Sequence, residues 1–154
     1  MKSLLIALSL LLSTSVYSNV ETLIIDTGPG HASVTRFPNG DIMIFDTGHW
    51  SYQPIVMEKF AAFIGDTDID LLITSHSDAD HLASTDELLN SYQVHRIRRP
   101  GKIRDTNTWR SHNAAAVSAG QSGVTHDINL ANTNLPFGTV YNFGDANVTY
   151  LVGF

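Results

Sequence analysis

The 154-residue chain contains no cysteine. That excludes disulfides, thiolate metal ligands and the acylated cysteine of a lipoprotein. Long apolar runs are also missing. The longest, Leu4–Leu12 ("LLIALSLLL"), falls well short of the roughly 20 residues a membrane-spanning helix needs. Basic residues are few, nine against fifteen acids, for a net charge of −6. Taken alone, that balance argues against a nucleic-acid partner.

What is present begins with an export signal. Lys2, the apolar Leu4–Leu12 and small polar residues up to Ser18 read as a secretory signal peptide over 1–18, cleaved after Ser18. Residues 19–154 then form one domain of a secreted or periplasmic protein with no stable membrane anchor. The charge is also segregated. Six of the nine Lys and Arg lie between Arg96 and Arg110, and seven of the fifteen acids lie between Asp66 and Glu87. Such a pattern suits a cation site beside an anion-binding rim, or else an ordinary solvated basic loop.

Alternation and turn chemistry predict strands at 21–28, 31–37 and 41–48, the last two joined by Pro38-Asn39-Gly40. A helix follows over 52–65 with Gly65 as its stop, then a buried strand, Leu71–Thr74. A helix over 79–92, a strand over 93–101, a helix over 108–120 capped by Thr106 or Thr108, and a hairpin around Gly144-Asp145 complete the reading. The second strand of that hairpin is placed at Val148–Val152. An antiparallel meander followed by strand–helix alternation indicates a layered α/β (α+β) domain. The chain ends inside an apolar strand, so a fragment of a longer protein is expected.

"ITSHSDADHLAS" (73–84) carries the chemistry. His76, Asp78, Asp80 and His81 crowd into six positions directly after a strand. Imidazole nitrogen and carboxylate oxygen suit a divalent metal: Zn, or alternatively Mn or Fe. Ser77 or Asp78 as a helix cap would explain one acid, but not two histidines and a second acid. One or two ions held here would activate water for hydrolysis.

"LLITSHSDADH" (71–81) resembles the His-x-His-x-Asp-His signature of the metallo-β-lactamase superfamily, with Asp78 in the place of the second histidine. That substitution, together with "IIDTGPGHASVTRFPNGDIMIFDTG" (24–48), is similar to the competence-protein (ComEC-like) branch. The resemblance implies the N-terminal half of an αββα sandwich, with His76 and Asp78 on one metal and Asp80 and His81 on a second. It makes Asp80 the catalytic residue that orients the attacking water. It also makes Asp46 a support behind the cluster, although on the residues alone Asp46 reads as a turn former before Thr-Gly. His31 and His49 receive no role. The family's Ile-Gly-Gly after the motif is replaced by "LAS", and its third histidine, bridging Asp and last histidine have no match at His95, His112, His126 or Asp145.

Three functions follow. The first is an exported metal-dependent hydrolase of phosphodiester or nucleic-acid-type substrates, or of a small molecule, with the basic segment Arg96–Arg110 contacting the substrate. The second is a β-lactamase or lactonase. The third is a non-catalytic exported binding module with a partial metal site. The leader reading has its own check. Mass spectrometry of the exported chain should give an N-terminus at Asn19, and a product that retains Met1–Ser18 would refute cleavage.

Overall fold

The computed structural model describes residues 19–100, 103–123, 127–128 and 138–151. The expected signal segment lies outside them. Strand β1 (Glu21–Ile24), β2 (Ala32–Arg36) and β3 (Ile42–Thr47) form the anticipated antiparallel meander. A turn at Pro38–Gly40 closes the second hairpin, with Gly40 N–H donating to Phe37 O at 2.9 Å. From β3 the sheet continues in parallel through β4 (Leu71–Ile73), β5 (Arg96–Arg98) and β6 (Asp127–Ile128), so the spatial order equals the chain order. The two-residue β6 was not anticipated; it is too short to show a period.

Parallel neighbours need crossovers, and helices supply them. A single 3-10 turn (Trp50–Tyr52) leads into α1 (Gln53–Ile64), which Gly65 ends. Between β4 and β5 the expected helix over 79–92 divides into α2 (Ala79–Leu82) and α3 (Thr85–Ser91). The break has a cause: Ala83 N–H donates to Gly48 O (3.1 Å) rather than within the helix, and Ser84 leaves the helical region (φ −101, ψ 9). Helix α4 (Asn107–Gln121) crosses from β5 to β6, and the Thr106 hydroxyl caps it by accepting from Trp109 N–H.

The two faces of the sheet are covered differently. Ile42 and Ile44 of β3 meet Val56, Phe60, Ile64, Leu88 and Ala116 from the helices. Met43 and Phe45, one residue out of phase, meet the separate hairpin β7 (Val140–Phe143) and β8 (Ala146–Thr149), where Phe143 stacks on Phe37 at 4.0 Å. The second hairpin strand therefore starts two residues earlier than expected and ends at Thr149. Each large side chain buried in these layers contributes roughly 1.5–3 kcal/mol. Because both faces are covered, β4 is apolar throughout ("LLI"), as a buried parallel strand should be. The architecture is the expected mixed α/β layering. No helix among the described residues is long and apolar enough to cross a membrane.

One buried group opposes this packing. His112, on the inner side of α4, is fully buried, and neither of its ring nitrogens has a hydrogen-bond partner among the described residues. Burial, reinforced by the nearby Arg99 charge, depresses its pKa from 6.5 to about 3. The unfolded chain therefore binds the proton first, so stability is whole above pH 6.5 and falls as the pH drops from there toward 3. Each pH unit in that window costs about 1.4 kcal/mol. Urea unfolding at about pH 7 and about pH 5 should show wild type losing about 2 kcal/mol more than His112→Phe. Equal losses in the two proteins would show that His112 does not govern the acid limb.

Candidate metal centre

Strands β3, β4 and β5 run parallel, so their carboxyl ends share one edge, where open α/β sheets place their ligands. Asp46 lies at the end of β3 and Ser75 two residues beyond β4. The segment His76–His81 leads into α2. Asp78 occupies the N-cap position of α2, yet its side chain makes no capping bond. Its carboxylate is thus left for other partners, which removes the cap as an explanation for this acid.

Asp46 organises the cluster. Its side chain is 1% exposed and accepts three hydrogen bonds: from Ser75 N–H (2.7 Å), Ser75 Oγ (2.6 Å) and His81 Nδ1 (2.7 Å). It is also the one non-glycine residue with positive φ (59°) among the described residues, a conformation that Asp tolerates better than most. The reading of Asp46 as a plain turn former is therefore incomplete. It does turn the chain, but its carboxylate is committed to the ligand loop. Ser75, which was not singled out beforehand, also pairs with His76 Nδ1 at 2.9 Å.

The ligand candidates stand in two pairs. His76 Nε2 is 3.9 Å from Asp78 Oδ2, and His81 Nε2 is 3.7 Å from Asp80 Oδ2. Two donors on one tetrahedral zinc are roughly 3.4 Å apart, so each pair needs only a small closure to share an ion. The histidine rings lie 3.9 Å apart, which keeps the pairs adjacent. Among the described residues no three His, Asp or Glu side chains already close on one point. The donor chemistry nevertheless fits a divalent cation, and with Asp46 on Nδ1 the Nε2 of His81 is left toward Asp80. A carboxylate behind a ligating imidazole fixes its orientation and raises its basicity. Burial works against charge on His81, but the Asp46 hydrogen bond and charge, with Asp80 and Asp78, outweigh it and raise its pKa.

Neighbouring turns press on the same loop. A Cβ at Gly30 (φ 97°) would lie 1.9 Å from the Asp80 carbonyl oxygen, so only glycine fits there. The signal was the Gly-Pro-Gly turn, though nothing in it named Asp80 as its neighbour. Thr47 Oγ pairs with Thr85 Oγ at 3.0 Å and anchors α3 to β3. His31 bonds Ser33, His49 bonds Ser51 and His95 pairs with Asp68. None of these three bonds involves a residue of the cluster. His126 lies outside the described residues.

The basic segment separates into individual roles. The Arg96 charge acts on Asp70 at the opposite edge of the sheet, Arg98 bonds Tyr141 Oη (2.5 Å), and Arg99 is buried against Asn113 and Trp109. Arg110 forms a two-bond ion pair with Asp105. Arg104 alone of the described five approaches the cluster, with Nη1 3.5 Å from Asp78 Oδ1. Lys102 lies outside the described residues. A depression of about 610 Å³ at the amino ends of the parallel strands, lined by Asp41, Asp66, Asp68 and Asp70, shares no residue with the cluster.

A family model described as the metallo-beta-lactamase superfamily matches residues 25–145. Among solved structures, a flavo di-iron protein H90N mutant from Thermotoga maritima is 14% identical (TM-score 0.49) and is matched over 86% of this chain and 33% of its own. MEM-A1, a subclass B3 metallo-beta-lactamase from a soil metagenome library, is 14% identical (TM-score 0.49), over 88% and 50% respectively. A diphosphatase of the PhnP family is 14% identical (TM-score 0.44), over 77% and 41%. The chain thus spans a third to a half of the length of these structures. No curated protein matches it.

The support role of Asp46 can be measured directly. Asp46→Asn keeps the shape and the tolerance of positive φ, but replaces one acceptor oxygen with an amide donor and removes the charge. Calorimetric titration with Zn²⁺ should give an affinity about 10- to 100-fold weaker than wild type. An unchanged affinity would separate Asp46 from metal binding.

Proposed function

The chain belongs to the metallo-beta-lactamase superfamily, whose model covers residues 25–145; from that premise we propose that it is an exported metal-dependent hydrolase. The substrates we assign are phosphodiesters or related nucleic-acid-type esters. The observation that carries the reading is the pair of His–carboxylate couples at the carboxyl edge of β4, backed by the buried Asp46. His76 with Asp78, and Asp80 with His81, would hold one or two divalent ions, with Zn preferred over Mn or Fe on donor type. When bound, the metal supplies Lewis acidity and lowers the pKa of water toward neutrality.

The chain's own groups do the rest. Asp80 accepts a hydrogen bond from the attacking water and so aims its lone pair. His81 is held in one orientation by Asp46, and Ser75 ties that carboxylate to the end of β4. His76 and Asp78, both partly exposed, face the solvent from which a substrate arrives. Asp78, in place of the second family histidine, and the 24–48 segment support a place in the competence-protein (ComEC-like) branch. We read the chain as the amino-terminal part of an αββα domain and its location as secreted or periplasmic.

Metal content and turnover test the proposal together. Purified protein loaded with Zn²⁺ should hydrolyse bis-p-nitrophenyl phosphate in preference to a chromogenic cephalosporin. Asp80→Ala should lose at least about 100-fold in rate. Bound metal with equal rates in wild type and Asp80→Ala would remove the catalytic assignment. Preference for the cephalosporin would move the protein to the β-lactamase reading, and absence of bound metal would leave a binding module.

A further inference from the structure

Arg104 differs from every other described member of the basic segment. Its main chain is anchored, because its N–H donates to Ser77 Oγ at 2.5 Å and Ser77 is buried between His76 and Asp78. Its side chain is held less firmly: it is 74% exposed, and its one ion pair among the described residues is the 3.5 Å approach of Nη1 to Asp78 Oδ1. An exposed ion pair of that length is weak, so the guanidinium can leave it at small cost. The other oxygen of Asp78 faces His76 Nε2 at 3.9 Å, where the proposed cation would enter. Guanidinium and cation therefore compete for one carboxylate.

From this arrangement we propose that Arg104 is an exchangeable counter-ion. It neutralises Asp78 while the cluster is metal-free. When a divalent cation takes Asp78, Arg104 is released to bind the anionic group of the substrate. The chemistry selects a phosphoryl group, because the planar guanidinium offers paired donors that match two phosphate oxygens. The anchored main chain keeps this fork at the mouth of the site in both states. The inference rests on the hydrolase reading above and adds to it the residue that selects an anionic ester.

Two titrations on the intact protein decide it, with inorganic phosphate as the probe. In the first, Zn²⁺ is titrated into metal-free wild type, Arg104→Gln and Arg104→Lys. Loss of the competing charge should make Arg104→Gln bind Zn²⁺ about two- to fivefold more tightly, with Arg104→Lys between it and wild type. In the second, phosphate is titrated into the Zn²⁺-loaded proteins. Arg104→Gln should bind it at least about tenfold more weakly than wild type, and Arg104→Lys should recover part of the loss. Removing a side chain this exposed leaves the fold intact, which circular dichroism checks. If wild type takes up Zn²⁺ and Arg104→Gln matches it in both titrations, the role of Arg104 is overturned and the hydrolase reading stands. If wild type takes up no Zn²⁺, both fall.

Discussion

A carboxylate buried without compensation is unstable, and Asp46 is compensated three times over, by Ser75 N–H, Ser75 Oγ and His81 Nδ1. Those bonds join the end of β3 to the end of β4 and to the start of α2. They also justify the positive φ at Asp46, a conformation that costs a residue with a side chain roughly 1–2 kcal/mol. The turn presents the carboxylate to the loop beyond β4, and the loop presents its donors in return. Each side of this contact would be strained or unsatisfied without the other. The position of His81 is therefore a consequence of the strand ends rather than of the short helix that carries it.

The rest of the fold keeps that contact in place. Parallel β3, β4 and β5 bring three loops to one edge, while helices on one face and the β7–β8 hairpin on the other hold the strands in register. Gly48 O takes the Ala83 N–H, which interrupts the helix after α2. Asp80 and His81 lie in the short α2 that ends at this break. The break keeps them in a four-residue turn beside His76. Gly30 packs against the Asp80 carbonyl. Two turns, each with its own hydrogen-bond or steric reason, thus brace the loop that carries Asp80 and His81.

Much of this was legible in the sequence, for physical reasons that also explain the rest. Period-two apolar residues and Asn39-Gly40 identify β2 and β3, and the apolar Leu71–Ile73 run identifies a strand covered on both faces. The density of His76, Asp78, Asp80 and His81 identifies the cluster, because side chains supplied by one loop are close in sequence. Partners that converge only through folding leave weaker marks. Asp46 resembles an ordinary Asp-Thr-Gly turn, Ser75 an ordinary serine, and the break at Ala83 depends on a carbonyl 35 residues upstream. The basic segment misleads in the opposite way. Six positive charges near each other in sequence resemble one surface, yet Arg99 turns inward, Arg98 turns to Tyr141, and Arg110 is spent on Asp105.

Charge at the site has a further consequence for how it would work on the proposed reading. Asp46, Asp78 and Asp80 bring three carboxylates together with two imidazoles, so carboxylates outnumber imidazoles at the mouth before a cation binds. A phosphoryl substrate would be repelled by that field. On that reading, Asp78 in the place of a family histidine would deepen the repulsion, and it would also strengthen the attraction for a divalent cation. The two effects impose an order: cation first, anionic substrate second. Arg104 fits that order because the carboxylate it covers is the one the cation would claim. An extra carboxylate that looks unfavourable for a phosphate-ester hydrolase therefore becomes consistent with one once metal occupancy precedes substrate binding.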